Sequence, residues 1–161
     1  MRSQLILLFS LALMMTSCIE PAETETVYEP ILMPRTQLEN SISFTESQPI
    51  IAAGKMMLYQ DLYFVLERRK GIHVFDVSDV DNPDQLGFIQ VPGCMDIIAK
   101  DGHIYVDNAV DLVTLKWEHN DVVEVDRQRE VFQPVAPPQG VRTADYTHIP
   151  EDAVIVGWRI K

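Results

Sequence analysis

Between Ile50 and Val125 the chain is a succession of short runs rich in Val, Ile, Tyr and Phe, separated by Gly, Asp, Asn and Pro. Such runs, recurring roughly every ten residues, are the pattern of successive antiparallel strands: β-branched and aromatic side chains fit a half-buried pleated surface, and the residues between them turn the chain. The pattern predicts strands at 51–59, 62–67, 71–77, 86–91, 95–99, 103–106, 111–117 and 122–126. The turns between them are chemically consistent. Ser78-Asp79-Val80-Asp81-Asn82-Pro83 offers side chains that bond neighbouring amides, and its proline stops a strand from continuing. Asp101-Gly102 is a hairpin turn of the kind that needs positive φ. Helix finds little support beyond the amino terminus, so the class is all-β.

Composition sets the scale. With 161 residues, 47% hydrophobic and 23% charged, the chain has the balance of one modest globular domain. Its formal charge is −11, and because the first seventeen residues hold one basic residue, Arg2, and no acid, the remainder carries 24 acids against 12 bases. Such a surface repels phosphate backbones and anionic headgroups, which excludes nucleic acid as an expected partner and a basic patch as a means of membrane attachment.

The amino terminus supplies another means. Arg2 precedes an apolar run from Leu5 to Met15, then Thr16-Ser17-Cys18. Eleven helical residues cover only about 16 Å, roughly half a hydrocarbon core, so the run reads as the apolar part of a signal peptide over 1–17. Small residues before a lone cysteine resemble the bacterial lipobox, in which the cysteine is acylated and becomes the new amino terminus. That resemblance makes Cys18 the lipidation site; the competing reading is an ordinary secretory signal cut near Ser17. Several acyl chains form a firm anchor where one would be marginal. Ile19 stands where an inner-membrane retention signal would place Asp, which points to the outer membrane. Residues 18–49, with three prolines and four glutamates between Ile19 and Pro34, read as the lipidated Cys followed by an acidic, proline-rich tether. The sequence has two cysteines, so Cys94 is left without an intramolecular partner and reads as a buried small apolar residue near a turn.

An internal repeat lies within residues 50–161. Leu62-Tyr63-Phe64-Val65, a charged turn and Gly71-Ile72-His73-Val74-Phe75-Asp76 are echoed by Ile104-Tyr105-Val106, a polar turn and Asp111-Leu112-Val113-Thr114-Leu115-Lys116. The offset of about 40 residues is the length of one four-stranded propeller blade. The segments Lys70-Gly71-Ile72-His73-Val74-Phe75-Asp76-Val77-Ser78, Asn82-Pro83, Gly87-Phe88-Ile89-Gln90-Val91-Pro92-Gly93 and Met95-Asp96-Ile97-Ile98-Ala99-Lys100, with Val154-Ile155-Val156-Gly157-Trp158 later, resemble the LVIVD-repeat β-propellers of bacterial envelope lipoproteins. The resemblance implies propeller-like antiparallel blades, two clear and a partial third. Family members are much longer, and about four blades are needed to close a ring. The expectation is therefore an incomplete or open propeller: a shortened paralogue, an assembly of copies, or a truncated fragment of a longer propeller lipoprotein.

No catalytic, cofactor-binding or metal-binding residue is assigned. The histidines His73, His103, His119 and His148 lack ligand spacing on any one element. Asp76, Asp79, Asp81 and Asp84 have a calcium-like spacing, yet the loop lacks the glycine and terminal glutamate of an EF-hand, and turn chemistry explains them. Asp96, Asp107 and Asp111 are the acids for paired-carboxylate hydrolysis, although within the resembling family they belong to the repeat. Trp117, Trp158, Tyr63 and Tyr105 read as core fillers and not as a sugar platform. Serine-nucleophile, phosphate-loop and dinucleotide motifs are absent from the sequence. The expected protein is thus a non-enzymatic, lipid-anchored cell-envelope binding or scaffolding module, with the membrane, a protein or glycan, and its own open sheet edges as partners. The alternative is an envelope hydrolase or carbohydrate-handling protein using the blade aspartates.

Overall fold

A computed structural model describes residues 27–139, 142–143 and 148–161. The signal peptide and Cys18 lie outside the described residues. Eight strands fall where the apolar runs predict them: β3 (Ala53–Tyr59), β4 (Leu62–Glu67), β5 (Gly71–Asp76), β6 (Asp84–Gln90), β7 (Ile97–Lys100), β8 (His103–Asn108), β9 (Asp111–Glu118) and β10 (Asp121–Gln128). Among the described residues five more elements precede or follow them: β1 (Val27–Pro34), α1 (Arg35–Glu39) and β2 (Ser43–Thr45), then β11 (Arg142–Thr143) and β12 (Ala153–Ile160). The protein is all-β, and among the described residues the strands form three open sheets with orders β2-β6-β5-β4-β3, β10-β9-β8-β7 and β11-β1-β12.

Two of these sheets are built on consecutive antiparallel meanders, β3 to β6 and β7 to β10. Alternation is clearest in β8 and β9, where Ile104, Val106, Val113 and Leu115 turn to one side and are buried. They meet Phe64, Leu66, Ile72, Val74 and Ile89 of the first meander in one shared apolar core. Phe44 of β2 and Trp117 of β9 close that core edge to face, with ring centroids 5.0 Å apart. The first strands of the meanders touch as well: Tyr59 Oη accepts from the Gly102 N–H at 2.7 Å, and Met57 Sδ from Ala99 N–H at 3.3 Å.

Local backbone chemistry fixes the hairpins. Asp101 and Gly102 have φ of 51° and 78°, as the β7–β8 turn requires. A Cβ at Gly102 would meet nothing within 4 Å, so glycine is favoured there by backbone conformation and not by space. Gly87 is the opposite case. A Cβ there would come 2.4 Å from Phe44 Cζ and 2.5 Å from the Thr45 carbonyl oxygen, so the missing side chain is what lets β2 lie against β6.

The tether expectation for residues 18–49 needs correcting from Val27 onward. β1 pairs antiparallel with β12 from Tyr28–Ile160 to Pro34–Ala153, across a register shift at Ile31/Leu32. Leu38 of α1 is fully buried among Ala109, Val110, Val154 and Val156, and β2 extends the first sheet. Prolines argue against a central strand, but β11 pairs only with Val27 and Tyr28. Pro30 and Pro34 therefore lie where β1 is a sheet edge, and a missing N–H is tolerated there. A tether residue could be truncated without effect, whereas Leu38→Ala is expected to cost about 2–5 kcal/mol of unfolding free energy. Urea denaturation followed by circular dichroism measures this, and an unchanged midpoint would return the segment to a tether.

Candidate functional site

Among the described residues, three polar clusters and two clefts hold side chains with chemical potential. The most buried cluster centres on Asp111, at the start of β9, whose carboxylate is wholly shielded from solvent. Arg35 Nη1 of α1 donates to both of its oxygens at 2.7 and 2.8 Å, and Arg127 Nη1 of β10 donates to Oδ2 at 2.9 Å. The Glu130 N–H adds a bond to Oδ1 at 3.1 Å. Buried Asn108 completes the arrangement, accepting from Arg127 at 2.9 Å and donating to the Pro92 carbonyl at 2.8 Å. Burial by itself would push the Asp111 carboxyl up. The Arg35, Glu130 and Arg127 donors outweigh it, and the group is held below the usual aspartate range. Arg127 is also burdened by burial, yet its bonds to Glu124 and Asp111 raise its affinity for the proton.

A second cluster lies inside the first sheet. Glu67, buried at the end of β4, accepts the N–H groups of Ile51 and Ala52 at 2.9 and 2.7 Å, pinning the loop before β3. His73, also buried, sits 3.3 Å from Glu67 Oε2 through Nε2 and 3.4 Å from Gln85 Nε2 through Nδ1. Burial opposes ionisation of Glu67, but the two backbone bonds and His73 leave its carboxyl below the ordinary value. His73 is thus a satisfied strand histidine. His103 bonds the Asp101 carbonyl, while His119 occupies the β9–β10 turn and His148 is exposed.

The third cluster contains the other two candidate catalytic acids. Asp107 accepts from Met95 N–H at 2.8 and 3.0 Å and from Asp96 N–H at 2.7 Å. Asp96 binds Lys55 Nζ of β3 and the Ile97 N–H, each at 2.7 Å. The bond to Lys55 leads the effects that lower its carboxyl. Asp96 and Asp107 border one cleft, and Asp111 belongs to the separate arginine cluster. All three carboxylates are engaged by donors that stitch loops or sheets together. Cys94 is buried beside them with Sγ 3.4 Å from the Asp96 carbonyl; burial, then the neighbouring Asp107, pushes its thiol far up, which keeps it protonated.

The acids considered for calcium serve turns. Asp76 Oδ1 accepts from Ser78 N–H at 2.8 Å and Asp79 Oδ1 from Asp81 N–H at 3.1 Å. Among the described residues no three His, Cys, Asp or Glu side chains are grouped to hold a metal ion. Trp117 lies in the shared core, and Trp158 is buried with Nε1 donating to the Val135 carbonyl at 2.8 Å. Tyr63 Oη contacts Met56 Sδ, and Tyr105 borders a cleft.

That cleft has a volume of about 550 Å³ and lies on the face of β7 and β8 turned away from the shared core. Residues 132–136 form its far wall, tied down by the Phe132 N–H to the Val110 carbonyl and by Trp158 to Val135. The same segment borders a second cleft of about 750 Å³ next to Arg35, Arg129 and β12. Sequence reasoning missed Arg35, Arg69 and Phe132 as site residues. Arg35 left one usable sign: it is the first basic residue after Arg2 in an otherwise acidic stretch.

Removing the Asp111 charge tests the hub. Asp111→Asn leaves two guanidinium groups facing a neutral amide and is expected to destabilise the protein by about 3–5 kcal/mol. Because the folded-state carboxyl is lowered, its contribution is complete above the unfolded aspartate value of about 3.9 and is lost as pH falls through the folded-state value. Urea midpoints between pH 7 and pH 3 should therefore decline in acid for the wild type and decline less steeply for Asp111→Asn.

Comparison with protein-family models, curated proteins and solved structures finds no match for this chain.

Proposed function

We propose that the protein is a non-enzymatic binding or scaffolding module of the bacterial cell envelope, built from propeller-type blades and anchored to the outer membrane through an acylated Cys18. The observation that carries the reading is the pair of successive four-stranded antiparallel meanders, offset by about 40 residues, stacked on one core with their first strands in contact. Propeller blades stack in this way, each sheet lending one face to its neighbour. Repeated sheets of this kind present clefts between elements, and both clefts here lie beside the segment spanning residues 132–136. The positions considered for hydrolysis support a binding role, since Asp96, Asp107 and Asp111 are committed to structural partners.

The anchor rests on the signal-like amino terminus and on Cys18. With β1 beginning at Val27, the nine residues from Cys18 onward span at most about 32 Å, so the sheets would stand close to the lipid surface. Metabolic labelling with radioactive palmitate tests this. The wild-type chain should carry label and sediment with membranes, and Cys18→Ala should lose both properties. Unlabelled wild type, or equal label on both forms, overturns the anchor.

A further inference from the structure

We propose that the cleft bordered by Arg69 binds an apolar monocarboxylate, a ligand of the fatty-acid class, with its carboxylate on the Arg69 guanidinium and its hydrocarbon chain against Ile98, Tyr105, Leu112 and Phe132. The starting point is the placement of charge. Among the described residues three arginines are half-buried: Arg35, Arg69 and Arg127. Arg35 and Arg127 share Asp111. The Arg69 guanidinium makes no ion pair or hydrogen bond with the described residues, in a chain with a formal charge of −11. A cation held partly out of water without a counter-ion is costly, and an anion delivered from outside relieves that cost. The Arg69 stem is itself confined, because a Cβ at Gly157 of β12 would lie 3.6 Å from its Cδ.

The carboxylates nearest in the cleft do not supply the counter-ion. Asp96 is bound to Lys55, and Asp107 is filled by backbone N–H groups. Apart from Gln133 and the Tyr105 hydroxyl the remaining lining is apolar, and several of its large side chains stand open to solvent: Met95 is 44% exposed, Ile98 53% and Phe132 41%. The volume of about 550 Å³ suits a small ligand. One guanidinium among apolar walls matches one carboxylate on an apolar tail, while nearby acids disfavour a polyanion. A hydrocarbon tail also needs no hydrogen-bond partners. An added peptide strand would need them, and on β7 the Ile97 N–H is already taken by Asp96 and the Ala99 N–H by Met57.

The site names an occupant for the binding module proposed above and rests on that reading only in treating the chain as a binder. Titration reports occupancy and palmitate labelling reports anchorage, so either can fail alone. Decanoate below its micelle concentration is titrated calorimetrically into the mature chain, with decyltrimethylammonium as the tail-matched cation and the Met95 methyl NMR signal as a local reporter. Decanoate should bind and shift the Met95 signal. Arg69→Met should weaken it about tenfold or more, with Arg69→Lys intermediate and the cation unaffected. If Arg69→Met fails to fold, Ile98→Glu at an exposed position places a like charge in the cleft and should weaken decanoate to a similar extent. Equal affinity for both amphiphiles, no decanoate binding below about 1 mM, indifference to the substitutions, or binding of an apolar peptide in place of decanoate would overturn the proposal.

Discussion

The carboxylate of Asp111 connects parts of the chain that are remote in sequence. Arg35 reaches it from the amino-terminal helix, Arg127 from β10 and the Glu130 N–H from the following turn. Two guanidinium groups and one carboxylate leave a net positive charge, which Glu124 on Arg127 and Glu130 on Arg35 offset near the surface. Buried ion pairs seldom add much over a well-packed apolar substitute, but their loss in halves is severe. The cluster therefore specifies which surfaces meet. It holds α1 over the β8–β9 turn, where Leu38 finds Ala109 and Val110, and thereby sets β1 and β12 in place.

From that junction the rest follows as two kinds of contact. Apolar area joins the two meanders, through Phe64, Ile72 and Ile89 on one side and Ile104, Val113 and Leu115 on the other. Single polar bonds then set their alignment: Lys55 to Asp96 and Tyr59 to Gly102 between the first strands. Area supplies most of the stabilisation, whereas the directional bonds select one register among several that would bury similar surface. The clefts open beside residues 132–136, between the second meander and β12.

The strands legible in the sequence are those whose cause is local. Leu62–Glu67 is a short unbroken run of apolar and aromatic residues that ends in a charged turn, and Asp101-Gly102 folds the chain back, so their positions were readable residue by residue. Val27–Pro34 hides the same state because its partner is Ala153–Ile160, more than a hundred residues away, and because its prolines signal a break that matters only in a strand paired on both sides. Asp76 and Asp79 were readable as turn residues, while Asp96, Asp107 and Asp111 were visible only as residues of interest. Their roles were not, since a carboxylate in a list looks the same before a backbone turn as before two arginines. Arg69 gave no sign at all: its distinction is a guanidinium without a partner among the described residues, a property of three-dimensional neighbours.

The pairing of β1 with β12 has a mechanical side. The Lys161 N–H bonds the Val27 carbonyl, so the outermost rung of that ladder lies at the residue where the amino-terminal stretch enters the sheet. A pull arriving along that stretch loads this rung before any other. Antiparallel rungs run across the strands and would part in sequence, as in a zipper, until tension reached Arg35 and its clasp on Asp111. The ladder would act as a yielding leader, and the arginine clasp as the stop that keeps tension from the main core.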